Sequence, residues 1–115
     1  MLVLCYPKCS TFKKALKWLD DHGVKYELRD IVEKNPKQKE LKEWYKKSGL
    51  PLKRFFNTSG LKYKELELSK KLPDMTEAAQ IKLLATDGML VKRPLVVADN
   101  KVLTGFKEKE WEALL

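Results

Sequence analysis

This chain of 115 residues has few side chains that could hold a metal ion. It contains two cysteines, Cys5 and Cys9, and one histidine, His22. A structural zinc site takes four such ligands, so we expect no metal site and no bound cofactor. No apolar run approaches the roughly 20 residues that cross a bilayer, and the opening MLVLCYP lacks the basic region and cleavage site of a signal peptide. We therefore expect a soluble, cytoplasmic protein with no membrane partner.

Arginine is also scarce, although the formal net charge is +8. The three arginines are Arg29, Arg54 and Arg93, and the remaining basic residues are lysines, many of them beside acids as in Lys39-Glu40-Leu41-Lys42-Glu43. Lysines spread in this way are typical of a solvated helix face, so we expect no direct nucleic-acid partner. The charge is equally consistent with binding of a small oxyanion or of a thiol partner with an acidic surface.

Hydrophobic patterning predicts a strand, a helix and a second strand at the start of the chain. Leu2 to Cys5 is a short apolar run, and from Ser10 apolar residues recur at helical spacing until Gly23. Val24 to Asp30 then alternates apolar and polar residues, which indicates a strand. Two strands joined through a helix by short links are expected to be parallel.

The rest of the chain predicts a block of helices followed by a hairpin and a last helix. The predicted helices are 35–48, capped by Asn35 before Pro36, then 51–56, 63–68, 77–85 with a stop at Asp87-Gly88, and one from about 108. The predicted hairpin pairs 95–98 with 102–104. We expect a single α/β domain over 1–115, with 1–33 and 92–115 forming a mixed four-stranded sheet and about 34–91 inserted as helices.

Cys9 is the strongest candidate for a reactive group. It lies between a predicted strand and the first turn of a predicted helix, where free N–H groups and the helix dipole stabilise a thiolate. Lys8 adds positive charge, and Ser10 and Thr11 can donate hydrogen bonds to the sulfur or to a bound anion. The alternative is a cysteine that only packs beneath the helix.

Cys5 lies within the predicted first strand, where a small buried side chain is expected. The alternative is a resolving thiol for Cys9, which requires the two Cα atoms to lie within about 7 Å. A Cys-x-x-Cys pair is excluded because the third residue after Cys9 is Phe12.

Arg93-Pro94 precedes the predicted hairpin. A proline at this place could form a cis peptide bond beside the thiol, and Arg93 would then direct a planar, permanently charged guanidinium toward the same site. The alternative is an ordinary surface arginine before a strand.

The chain resembles the thioredoxin-fold arsenate reductase (ArsC) family, which includes the Spx-type redox regulators. The resemblance rests on Pro7-Lys8-Cys9-Ser10-Thr11, Asn35-Pro36, Lys92-Arg93-Pro94-Leu95 and the hairpin, and it is strongest to a small firmicute branch. It implies a thioredoxin-like (glutaredoxin-like) fold with Cys9 as the nucleophile and Arg93 as a catalytic arginine, beside Pro94. It also implies that glutathione with glutaredoxin, or thioredoxin, donates the electrons.

Two departures from the family pattern affect the substrate. Two further arginines of the family align with Asn57 and Phe106, and each charge-assisted donor is worth about 1.5–3 kcal/mol. We therefore expect weaker oxyanion binding, with Asn57 retained as a substrate contact and with Lys53, Arg54 or Lys92 available to compensate. The alternative that the resemblance implies is an Spx-like regulator that binds the C-terminal domain of the RNA polymerase α subunit.

Overall fold

A computed structural model of the protein describes residues 1–8 and 10–115. Its centre is a four-stranded sheet in the order β2-β1-β3-β4. The strands are β1 (Leu2–Cys5), β2 (Glu27–Asp30), β3 (Leu95–Val97) and β4 (Val102–Thr104). β1 pairs parallel to β2 and antiparallel to β3, and β3 pairs antiparallel to β4. The predicted mixed α/β sheet is confirmed.

The first helix, α1, follows the predicted bounds and spans Ser10–Asp21. Its apolar stripe buries Ala15, Trp18 and Leu19. Gly23 follows it with φ +66°, a left-handed conformation that glycine adopts without a steric penalty. Because β1 and β2 are parallel, α1 is the crossover that returns the chain to the same end of the sheet.

Between β2 and β3 the chain is helical. The helices are α2 (Gln38–Ser48), α3 (Leu61–Glu65), α4 (Leu68–Lys71) and α5 (Glu77–Leu84), with 3₁₀ turns at Leu52–Phe55, Leu72–Asp74 and Gly88–Leu90. The chain ends in α6 (Glu108–Trp111) and a 3₁₀ turn at Glu112–Leu114.

Two apolar cores form on the opposite faces of the sheet. Side chains alternate along a strand, so neighbours such as Val3 and Leu4 point to different faces. Leu4 packs in the larger core with the helical residues between β2 and β3, whereas Val3 packs in a smaller core with α1 and Trp111. The helices thus cover both faces, and the ends of the strands are left to form the site.

Three predicted details of the helical part are wrong. The single helix predicted over 63–68 is replaced by the two short helices α3 and α4, and the start of α2 and the stop at Gly88 also differ. α2 begins at Gln38 with Lys37 as its cap, because the Asn35 side chain instead donates a hydrogen bond to the carbonyl of Ala85 at 2.7 Å. α5 ends at Leu84, within one residue of the predicted end at Ala85, but Gly88 is not its stop and instead begins the 3₁₀ turn at Gly88–Leu90. A Cβ on Gly88 would lie 1.8 Å from the carbonyl oxygen of Ile31, so this glycine permits a close approach of two backbones.

Arg29 of β2 fixes the start of the helical part. Its guanidinium binds both carboxylate oxygens of Glu40 in α2, at 2.8 and 3.0 Å, and donates to the carbonyls of Lys34 and Asn35. Glu40 in turn accepts a hydrogen bond from the backbone N–H of Lys37. The hydrogen bonds from Arg29 lower the pKa of Glu40 below its ordinary value, with a smaller contribution from the Lys37 N–H.

Candidate active site

The connection from β1 to α1 contains most of the predicted site residues. β1 ends at Cys5, Tyr6 to Lys8 form the turn, and α1 begins at Ser10. Lys8 and Ser10 are exposed and Thr11 is half-buried, so all three stand at or near the surface around the helix start. Cys9, the predicted nucleophile, lies outside the described residues, and its role stays a prediction.

Arg93-Pro94 directly precedes β3, and the peptide bond between them is cis, as the sequence suggested. β1 and β3 are antiparallel, with Leu4 opposite Leu95. Continuing this register past the strand ends sets Cys5 opposite Pro94 and Tyr6 opposite Arg93. Pro94 is buried and Arg93 is half-buried. The register therefore brings Arg93-Pro94 beside the turn that leads to Cys9.

Arg93 lies over an aromatic ring in this arrangement. Its Cζ atom is 5.3 Å from the ring centroid of Tyr6, within the distance at which a guanidinium is attracted to the face of an aromatic ring. Tyr6 itself is half-buried at the end of β1. The contact therefore anchors the arginine on the residue that precedes Pro7.

The hydrogen bonding of Arg93 leaves donors available. Nη1 donates to the carbonyl of Met89 at 3.4 Å, which is long for such a bond. Nε is buried and has no hydrogen-bond partner among residues 1–8 and 10–115. A buried charged donor without a partner is costly, and a water molecule or an anion can complete its hydrogen bonding. The guanidinium is thus suited to bind an anion.

Cys5 is buried at the end of β1, with 1% of its surface exposed, as a core residue would be. Its carbonyl accepts a hydrogen bond from the N–H of Ile31. Because Cys9 lies outside the described residues, a resolving role for Cys5 stays a prediction.

Asn57 and Phe106 occupy the places where the resemblance implied arginines. The backbone N–H of Asn57 donates to the carbonyl of Leu90 at 2.8 Å, and its side-chain nitrogen lies 2.7 Å from where a Cβ on Gly60 would be. Its side chain therefore folds over its own loop. Phe106 packs edge-on against Trp111, with 4.8 Å between the ring centroids. The described contacts of these two side chains are structural.

The candidates for compensation come together in one cleft of about 490 Å³. We call it the basic cleft, and its charged lining residues are Lys53, Arg54, Lys92 and Lys107. Lys53 and Arg54 come from the 3₁₀ turn at Leu52–Phe55, and Lys92 from the residue before Arg93. Lys107 follows β4, beside Phe106. Three segments far apart in sequence thus supply the positive charge of the cleft, and only Lys107 among these four residues was not named from the sequence.

The described residues contain neither a metal-binding cluster nor a membrane-spanning helix. Among residues 1–8 and 10–115, no group of three or more histidine, cysteine or acidic side chains is placed to hold a metal ion. No helix in that part is long and apolar enough to cross a membrane.

Sequence reasoning gave no role to Tyr6 or to Lys107. The aromatic contact of Tyr6 depends on the pairing of β1 with β3, which no local pattern predicts. The sequence shows that an aromatic residue lies just before Pro-Lys-Cys, but it does not show that Arg93 is the partner of this residue. Lys107 stands in an ordinary charged run, Lys107-Glu-Lys-Glu110.

Comparison with known proteins gives several matches that cover nearly the whole chain. The uncharacterized protein YusI of Bacillus subtilis is 55% identical over 93% of this chain and 91% of its own length. An arsenate reductase of Neisseria meningitidis is 31% identical over 95% and 92%. The global transcriptional regulator Spx 2 of Lactococcus lactis is 24% identical over 95% and 81%.

A solved structure agrees with the fold. The crystal structure of an ArsC family related protein from Bacteroides fragilis superposes with a TM-score of 0.97, at 60% identity, over 99% of this chain and 96% of that one. The fold is thioredoxin-like, as the resemblance implied. The model of the ArsC family matches residues 4–114, and the chain therefore belongs to the ArsC family.

Proposed function

We propose that this protein is a thiol oxidoreductase that uses Cys9 to attack an oxyanion or a mixed disulfide. One observation carries the proposal: the guanidinium of Arg93 lies beside the turn that leads to Cys9, with its buried Nε lacking a partner among the described residues. An arginine held in this way can stabilise both a thiolate and the anion that the thiolate attacks.

The reaction on arsenate needs two electrons, which thiols supply. The Cys9 thiolate forms a sulfur–arsenic bond and displaces hydroxide, which leaves as water. A second thiol, such as glutathione, then forms a disulfide with Cys9, and the two electrons of the sulfur–arsenic bond reduce As(V) to As(III), which leaves as arsenite. A glutaredoxin or thioredoxin thiol then attacks that disulfide and restores the Cys9 thiolate.

On a mixed disulfide the chemistry is simpler. The Cys9 thiolate attacks one sulfur, forms a new disulfide and releases the other sulfur as a thiolate. A second thiol then attacks the new disulfide and releases the Cys9 thiolate. Both versions need the reducing conditions of the cytoplasm, where we place the protein.

The arsenate reductase of Neisseria meningitidis among the relatives supports an oxyanion substrate. Asn57 and Phe106 weaken that support, because neither provides the bidentate donor of an arginine. Lys8, Ser10 and Thr11 surround the start of α1 and would contact the anion, while Pro94 would shape the site beside Cys9.

The test is a turnover assay with arsenate and with a glutathionylated peptide as substrates, each with glutaredoxin or thioredoxin as the donor. We expect Cys9→Ser to abolish turnover and Arg93→Ala to lower it at least about a hundredfold, since a charged donor at the reacting atoms is worth about 3 kcal/mol. Arg93→Lys, which keeps the charge without the planar fork, should retain part of the activity. Unchanged turnover in Cys9→Ser would reject the proposal.

The relative Spx 2 supports a second candidate, a regulator that binds RNA polymerase. The C-terminal domain of the α subunit would be its partner, as the resemblance implies. A pull-down of that domain with this protein at low salt distinguishes the two functions. Retention of the domain without any turnover favours the regulator, and turnover without retention favours the enzyme.

A further inference from the structure

The basic cleft has more positive charge than its surroundings neutralise. The Nη2 atom of Arg54 lies 3.0 Å from a carboxylate oxygen of Glu110, so this arginine is already paired. The ammonium groups of Lys53, Lys92 and Lys107 have no carboxylate within 4.0 Å in the part of the chain that the structure describes. The cleft therefore presents three uncompensated positive charges.

The cleft also has apolar and hydroxyl surface between these charges. Phe106 and Pro51 contribute apolar surface, and Thr58 and Thr104 contribute hydroxyl groups. The ion pair between Arg54 and Glu110 joins the 3₁₀ turn at Leu52–Phe55 to α6, so the two walls are held together. A lining of this composition suits a ligand with carboxylates on a chain that also has apolar or neutral groups.

The basic cleft adjoins the backbone that carries Arg93 and Pro94. Lys92 directly precedes Arg93, and its N–H donates to the carbonyl of Phe55 at 2.8 Å. On the other side, the N–H of Gly105 donates to the carbonyl of Pro94 at 2.9 Å, and the Cε of Lys92 lies 3.1 Å from where a Cβ on Gly105 would be. A molecule in the cleft would therefore lie next to the site that contains Arg93.

We propose that the basic cleft binds an acidic polypeptide segment of the thiol-bearing protein that exchanges electrons with Cys9. The inference rests on the proposed function and names the surface chemistry of its partner. Lysines provide compact, flexible charges without the planar fork that fixes a single oxyanion. Three of them in a cleft that also has apolar surface can pair with several carboxylates of one polypeptide segment. Their contribution is electrostatic, so it directs encounter and weakens with salt.

The test measures the binding of a fluorescently labelled peptide rich in Glu and Asp, and of its Gln and Asn counterpart, by fluorescence anisotropy. The test variant is Lys53→Gln/Lys92→Gln/Lys107→Gln. The matched control is Lys39→Gln/Lys42→Gln/Lys46→Gln, which removes the same formal charge from exposed positions on α2, none of which lines the cleft. Circular dichroism of both variants checks that each remains folded.

We expect the cleft variant to bind the acidic peptide about tenfold more weakly, because exposed charge pairs each contribute modestly. The control variant should change less than about threefold, and the neutral peptide should bind weakly to every form. Equal losses in the two variants would overturn the inference, because they would show a response to net charge alone. Displacement of the peptide by glutathione at equal concentration would also overturn it, since a small thiol would then be the occupant.

Failure of this inference can be distinguished from failure of the proposed function. Cys9→Ser should bind the acidic peptide as the unchanged protein does, although its turnover is expected to be lost. If turnover depends on Cys9 but the peptide does not use the cleft, only this inference fails. If the cleft binds the peptide while Cys9→Ser retains turnover, the proposed function fails instead.

Discussion

Replacing Tyr6 with leucine tests whether the aromatic ring positions Arg93 for the reaction. Leucine keeps an apolar side chain at the end of β1 but removes the ring that lies 5.3 Å from the guanidinium carbon. Cation–π contacts are worth about 0.5–1 kcal/mol when exposed and about 2 kcal/mol when desolvated. Arg93 is half-buried and its Nε is buried, so we take about 1–2 kcal/mol.

This energy corresponds to a loss of about 5- to 30-fold in kcat/KM, since 1.36 kcal/mol is a tenfold change in rate. Tyr6→Phe keeps the ring and removes only the hydroxyl, so we expect it to stay within about twofold of the unchanged protein. The assay is steady-state turnover of the substrate identified by the Cys9 test, with thermal unfolding as a check on folding.

A double-mutant cycle makes the test specific. Because Tyr6 is argued to act through Arg93, Tyr6→Leu should have little further effect once Arg93 is alanine. Equal losses in Tyr6→Phe and Tyr6→Leu would refute the reasoning, as would a full further loss from Tyr6→Leu in the Arg93→Ala protein.

Two further predictions concern stability. Gly88→Ala places a Cβ 1.8 Å from the Ile31 carbonyl oxygen, so it should lower the free energy of unfolding in urea by about 3 kcal/mol. Gly49→Ala, at φ +67° with no atom within 4 Å of the new Cβ, should lower it by only about 1–2 kcal/mol. Equal losses in the two variants would contradict the steric argument. The lowered pKa of Glu40 means that the stability from its pair with Arg29 is present above the unfolded-state carboxyl pKa of about 4.3 and is lost as pH falls through the lower folded-state pKa. Glu40→Gln should therefore lose about 1 kcal/mol at neutral pH and progressively less below about pH 4, and a difference that is constant with pH would be inconsistent with this.

Local patterns in the sequence were enough to predict the sheet and the main crossover. Leu2–Cys5 and Ser10–Asp21 lie where apolar runs and helical spacing predict them, and Gly23 and Gly49 end their helices in the left-handed conformation. β2 is shorter than predicted, beginning at Glu27 rather than Val24, because only residues 27–30 pair with β1.

Two of the errors lie where a contact distant in sequence overrides a local preference. Asparagine commonly caps helices, but the side chain of Asn35 instead donates its hydrogen bond to Ala85, fifty positions away. Gly88 follows α5 as a typical helix stop would, but what requires a glycine here is the close approach of its backbone to Ile31, where a Cβ would clash. The partners Ala85 and Ile31 are brought to these residues only by the folding of the helical part, so no local pattern indicates them.

The sequence could name residues for the candidate site but not the contacts between them. The sequence pointed to Cys9 and Arg93-Pro94, and the cis peptide bond at Pro94 agrees with that expectation. The contact of Tyr6 with Arg93 and the gathering of Lys53, Lys92 and Lys107 follow from the register of β3 and the turn after β4. Such contacts require the pairing of strands that lie about ninety residues apart in the chain.

The most direct test of the central claim is the pH dependence of alkylation of Cys9 by iodoacetamide, followed on the Cys9-containing peptide by mass spectrometry. This readout separates Cys9 from Cys5 without changing either residue. We expect a thiolate pKa for Cys9 below the free value of about 8.5, and a higher pKa in the Arg93→Ala protein, because the guanidinium no longer stabilises the anion. A Cys9 pKa at or above the free value, unchanged by Arg93→Ala, would contradict it.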